Sequence, residues 1–78
     1  MKIFIGNIHP EVEEYKLSQI FEEFGTVESL FIKRNCYSNR GSNIGFVEMP
    51  DDDAMEAIKN LNETVFHENK LEVCKSKK

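Results

Sequence analysis

The chain has 78 residues, 40% of them apolar, and 14 acids against 10 bases give a formal net charge of −4. That length makes one domain with one modest core. Two cysteines, Cys36 and Cys74, exclude a disulfide framework and point to reduced thiols in a reducing compartment, and with no signal peptide or membrane-length apolar run read in it the chain is expected to be soluble and intracellular.

Residues 1–6 read as the first strand, with Ile3 and Ile5 pointing one way and Lys2 and Phe4 the other. A turn over 7–10 follows, and Pro10 suits the entry to a helix. The first helix is expected over 13–24, because Leu17, Ile20, Phe21 and Phe24 recur at i, i+3, i+4 and i+7. Glu13 stands where a Ser or Thr cap belongs, so this start is weakly capped, although acids in the first turn suit the helix dipole. Gly25 closes the helix. Residues 27–33 form the second strand, with Leu30 and Ile32 on one face and Ser29, Phe31 and Lys33 on the other. A polar loop over 34–43 carries Arg34 and Arg40.

The third strand covers 44–49: Val47 and Met49 point one way, and Ile44, Phe46 and Glu48 the other. Pro50 ends it, and Asp51 or Asp52 is expected to cap a second helix with the stripe Ala54, Ala57, Ile58 and Leu61. Asn62 is the expected left-handed terminator. A connecting segment over 63–69 leads to the fourth strand, 70–74, where Leu71 and Val73 face the core. The domain thus spans 1–75, and 76–78 is a short basic tail.

The order βαββαβ with right-handed crossovers gives an α+β, ferredoxin-like split βαβ fold, with the first and third strands central and both helices on one face. The aliphatic side of the sheet then belongs to the core. Phe4 and Phe46 fall on the open side, where the core has no use for them. Two rings on adjacent strands make a platform for flat ligands, and unpaired bases are the obvious candidates. Charge follows the same division. Nine of the 14 acids lie on or just before the helices, and eight of the 10 bases on the open face, its loop or the tail. An acidic total is compatible with phosphate binding if the field is local, because distant charges are screened.

Two stretches carry a family resemblance. Ile3-Phe4-Ile5-Gly6-Asn7-Ile8 reads aliphatic, aromatic, aliphatic, Gly, Asn, aliphatic. Ile44-Gly45-Phe46-Val47-Glu48-Met49 carries the second half of an octamer whose basic-glycine pair stands displaced at Arg40-Gly41. Together they resemble the RNA recognition motif, over essentially the whole chain. The resemblance implies a four-stranded antiparallel sheet ordered 4-1-3-2, and single-stranded RNA bound across its open face. Phe4 and Phe46 would stack bases. Lys2, Lys33, Arg34, Arg40 and the tail lysines Lys75, Lys77 and Lys78 would steer phosphates, and Lys70, Glu72 and the strand-end backbone near Lys75 would read base edges. Asn7, Ile44 and Glu48 complete the expected site.

Some assignments stay open. Phe31 either stacks or packs at the sheet edge. Ile44 replaces the family's third aromatic, and Phe31, its neighbour across the strands, would take over part of that role. Arg34 and Arg40 are phosphate contacts or solvated loop charges. His9 and His67 are read as structural, and Asp51, Asp52 and Asp53 as a helix start rather than a metal site. With no nucleophile beside a base and no P-loop, neither catalysis nor a cofactor is expected. A monomer in the cytoplasm, or the nucleus of a eukaryote, is expected, and single-stranded DNA stands as an alternative ligand. The rival reading is a protein-interaction module that binds a peptide through the acidic helical face of Glu11, Glu13, Glu14, Glu22 and Glu23. Relatives of that kind carry an Arg-x-Phe loop, and here Phe66 follows Thr64 and Val65. A third reading, a small acyl-phosphate hydrolase of the same topology, lacks the arginine-bearing phosphate loop.

Overall fold

The pleat of a strand sends alternate side chains to opposite sides, and here that alternation divides aliphatic residues from phenylalanines. The computed structural model of the protein describes residues 1–33 and 43–76. In chain order the elements are β1 (Lys2–Ile8), α1 (Glu14–Glu22), β2 (Ser29–Lys33), β3 (Asn43–Glu48), α2 (Asp51–Leu61), a short hairpin of β4 (Val65–Phe66) and β5 (Asn69–Lys70), and β6 (Glu72–Lys75). β2, β3, β1 and β6 form an antiparallel sheet in that order, which is the expected 4-1-3-2 arrangement with β6 as the last long strand.

One face of this sheet supplies Ile3, Ile5, Val47, Met49 and Val73 to the core, and the helices lay Leu17, Phe21, Ala54 and Ala57 on it. Leu17 and Phe21 are fully buried, each contributing about 1.5–3 kcal/mol relative to exposure. Gly45 also points into this layer. A Cβ there would stand 3.1 Å from Ile8 Cδ1 and 3.2 Å from the Phe31 carbonyl oxygen, so the close approach under α1 requires glycine.

β1 runs two residues beyond the expected strand. Its pairing with β3 is irregular between Ile5 and Ile8, and Asn7 is left-handed at φ 61°. The extra residue rephases the alternation, so that Ile8 as well as Ile5 is fully buried. Asn7 tolerates this conformation, and its Nδ2 donates to the Lys70 carbonyl oxygen at 2.8 Å. The stretch read as a turn is therefore a bulged strand end.

Both helix starts lack a side-chain cap. For α1 this matches the weak Glu13 signal. For α2 it corrects the expected aspartate cap. Pro50 is the N-cap, and Asp51, Asp52 and Asp53 all lie within the first turn, where their negative charges complement the positive end of the helix dipole. α1 stops at Glu22, and the Phe24 N–H returns to the Phe21 oxygen at 3.0 Å, tightening the final turn. Asn62 is not left-handed. It is extended at φ −61°, ψ 132°, and Glu63 takes the positive φ of 67°.

The segment read as a plain connection contains the β4–β5 hairpin. Its turn residues, His67 and Glu68, have φ of 53° and 70°, the pair of positive values a tight two-residue turn needs. His-Glu is not the Asn-Gly signature of such a turn, which is why periodicity missed it. Phe66 packs against the core from this hairpin.

Side chains close both sheet edges. Glu14 Oε2 accepts the Ile32 N–H of β2 at 2.9 Å, and Asn62 Oδ1 accepts the Val73 N–H of β6 at 3.1 Å. Each removes an unpaired donor from an edge strand. Replacing Asn62 by alanine should therefore cost about 1 kcal/mol in urea unfolding. Asn60→Ala, which removes only an exposed bond to the Glu56 carbonyl oxygen, should stay within about 0.5 kcal/mol. Equal losses would mean that the β6 edge does not depend on Asn62.

Candidate nucleic-acid interface

The face turned away from the helices is organised by register. Phe4 of β1 stands directly opposite Phe46 of β3, and Phe46 directly opposite Phe31 of β2. On the other flank Phe4 faces Cys74 of β6. The three rings therefore form one row across three strands. Phe31 stacks on Phe46 at a centroid distance of 5.6 Å and 29°, and Phe4 meets Phe46 edge-on at 5.7 Å and 64°. Both are favourable aromatic geometries. Phe31 is 47% exposed, whereas Phe4 and Phe46 are half-buried.

Two features shape this row. The Lys2 ammonium sits 4.9 Å from the centre of the Phe46 ring, a cation–π contact. Lys2 is also the direct cross-strand partner of Glu48, yet its charge goes to the ring. At the other end the Phe4 ring lies over Gly6. A Cβ at Gly6 would stand 3.2 Å from Phe4 Cε2 and 3.6 Å from Glu72 Cβ, so the missing side chain leaves room for the ring beside Glu72.

The remaining expected residues fall in different places. Ile44 is half-buried and faces Lys33, so Phe31 lies diagonal to Ile44 and opposite Phe46. The third ring thus extends the Phe46 row rather than filling the Ile44 position. Glu48 and Glu72 are exposed on the open face, Glu48 between Lys2 and Ser29, and Glu72 opposite Gly6. Asn7 is tied to the hairpin through the Lys70 carbonyl. Lys70 belongs to the hairpin, opposite Val65, rather than to the last long strand. Lys75 pairs with Ile3 and so lies on the helix side. There it lines a groove of about 520 Å³ with Met55, Ile58 and Lys59 of α2. Arg34, Arg40, Lys77 and Lys78 lie outside the described residues.

The charge balance of the face follows. Its described charged groups are Lys2, Lys33, Glu48 and Glu72, two of each sign. The expected basic front is thus not carried by the described strands, and the bases that would supply it stand in the stretches outside them. Cys74, free and exposed, lies on this face beside Phe4. Alternation from Leu71 and Val73 was enough to place it there, though it is not among the expected site residues. His9 and His67, far apart in sequence, come together at a ring separation of 6.1 Å, with the His67 ring also edge-on to Phe66 at 4.7 Å. His9 Nδ1 accepts the Glu11 N–H at 3.0 Å. Both histidines thus serve the turns at this end of the sheet. Among the described residues no group of His, Cys, Asp and Glu is arranged to hold a metal ion.

Comparison with known proteins agrees with this architecture. The model of the RNA recognition motif family matches residues 3–72. Protein elav of Drosophila melanogaster is 44% identical over 61 residues, 77% of this chain and 13% of that protein. An uncharacterised RNA-binding protein of Schizosaccharomyces pombe is 34% identical over 77 residues, 97% of this chain and 26% of that protein. The chain therefore spans between about an eighth and a quarter of the length of these relatives. The crystal structure of RNA-binding protein PG1 superposes with a TM-score of 0.86 at 31% identity, covering 100% of this chain and 95% of that one. The paired motifs on β1 and β3, the β2-β3-β1-β6 sheet and the match over residues 3–72 establish that the chain belongs to the RNA recognition motif family.

Proposed function

We propose that the chain binds single-stranded RNA across the open sheet face, stacking bases on its phenylalanines. The observation that carries this reading is the row Phe4–Phe46–Phe31, aligned by register on a face that no helix among the described residues covers. Such a row costs the fold solvent-exposed apolar surface and supplies nothing to the core, whereas every base has a π-face that can use it. Family membership supports the same ligand, and the similar Schizosaccharomyces pombe protein and PG1 are both named as RNA-binding. Lys2 and Lys33 flank the row and would meet phosphates, together with Arg34, Arg40 and Lys77. A base arriving on Phe46 would displace the Lys2 ammonium from the ring and free it for the backbone.

The rival reading gains no specific support. Glu14, one of the acids it needs, is engaged with the Ile32 N–H, and Phe66 is partly buried against the core.

Binding of a short single-stranded oligoribonucleotide, followed by fluorescence anisotropy, tests the platform. Phe4→Ala and Phe46→Ala should each lose about 1–3 kcal/mol of binding while remaining folded by circular dichroism. Parent-like affinity in either variant would sink the stacking assignment.

The Phe31–Phe46 contact is testable apart from RNA. A double-mutant cycle in urea should return a coupling of about 0.5–1.5 kcal/mol between the two alanine substitutions. In the same series Phe31→Ala alone should lower RNA affinity. Lost stability with unchanged affinity would leave Phe31 as edge packing.

Salt dependence separates steering from reading. Arg34→Ala and Arg40→Ala should weaken binding about equally for all sequences, each reducing the slope of log affinity against log salt by about one. A changed base preference at constant slope would assign the arginines to bases instead.

A further inference from the structure

The open face is unusual for a polyanion site in carrying as many carboxylates as ammonium groups on its described strands. A carboxylate among phosphates is unfavourable unless something on the ligand donates to it. Glu72 is the one placed to meet such a donor. It faces the open side opposite Gly6, and its Cβ and the Phe4 ring border the same small space, the one a Gly6 side chain would occupy. Among the described residues no hydrogen bond or ion pair engages its carboxylate. Glu48 differs in its cross-strand partner, Lys2, which puts an ammonium side chain on the neighbouring position, whereas the partner of Glu72 on β1 is Gly6.

An ionised carboxylate only accepts hydrogen bonds. The bases differ sharply in what they offer it along the edge left free in a single strand. Guanine presents two adjacent donors, N1–H and N2–H, a fork that matches the two carboxylate oxygens as a guanidinium does. Adenine and cytosine present one donor beside an acceptor nitrogen. Uracil presents one N–H between two carbonyl oxygens, which a carboxylate repels. We infer that Glu72 makes this face selective for guanine at the base stacked on Phe4, accepting N1–H and N2–H together. This rests on the RNA-stacking reading above and adds to it the identity of one base.

The test uses the full chain and four eight-nucleotide RNAs: all-uridine, and the same with one internal guanosine, adenosine or cytidine. The guanosine RNA should bind on the order of tenfold tighter than all-uridine, within the range of a good bidentate base contact, with adenosine and cytidine between. Glu72→Gln should bring the guanosine and uridine RNAs within about twofold of each other, chiefly because the all-uridine RNA tightens. The amide can donate to uracil carbonyls, and a negative charge is gone. Glu68→Gln removes the same charge from the hairpin turn, away from the row, and should keep the preference. A parent chain without guanine preference, a preference that survives Glu72→Gln, or its equal loss in Glu68→Gln would overturn the inference. In those cases weaker binding of all four RNAs by Phe4→Ala would show that the stacking reading still holds. Failure of the parent to bind any of the four sinks the RNA reading and this inference with it.

Discussion

The pairing register between β1 and β3 is the constraint on which the rest of this protein depends. Phe4 opposite Phe46 puts Ile3 opposite Val47 and Ile5 opposite Gly45. A slip of β1 by one residue would turn Phe4 into the helix layer and expose Ile3 and Ile5. The aliphatic core holds the register because burying Ile3, Ile5 and Val47 completely is possible in one phase only. The aromatic row is thus positioned by residues that point away from it. Extension of the row to Phe31 follows from the same pairing carried one strand further.

The edges of the sheet are held by the helices and by the bulge. Glu14 and Asn62 each take a backbone donor from an outer strand, so the helical layer supplies polar closure as well as apolar cover. The left-handed Asn7 joins the end of the central strand to the hairpin. The hairpin in turn delivers the chain to β6, with Leu71 bonded to the Thr64 carbonyl oxygen at 2.8 Å. Glu72 and Cys74 owe their places on the open face to this chain of contacts, none of which touches the open face itself.

In the proposed complex, electrostatics and recognition would be supplied by different groups. The two helices carry six of the 14 acids, including the three aspartates of the first turn of α2, and salt weakens their field across the sheet. On that face the described charges nearly cancel. Affinity would then come from stacking and from bases outside the strands. In the proposed complex the carboxylates, costly beside phosphate, would tell one base from another. This division follows the general rule that backbone contacts position a nucleic acid while contacts to base edges specify it.

The βαββαβ order, the strand order, the two helical stripes and the aromatic face of β1 and β3 were legible in the sequence. All but the strand order rest on local periodicity, alternation in the strands and i, i+3, i+4 spacing in the helices; the strand order followed from the crossover rule and the family resemblance. The family motifs then joined those elements into one fold. What the sequence could not show were relations between residues far apart in it. Asn7 is left-handed because Ile8 must reach the core and Lys70 offers a carbonyl. Asn62 looked like a terminator, but the Val73 N–H draws its side chain and Glu63 takes the turn. The hairpin turn at His67 and Glu68 adopts positive φ without the residues that favour it, because Phe66 must pack inward. Phe31 opposite Phe46, rather than opposite Ile44, depends on the β2–β3 register. Alternation fixes which face a side chain takes but leaves open which neighbour it meets, and that choice is made only when the strands pair.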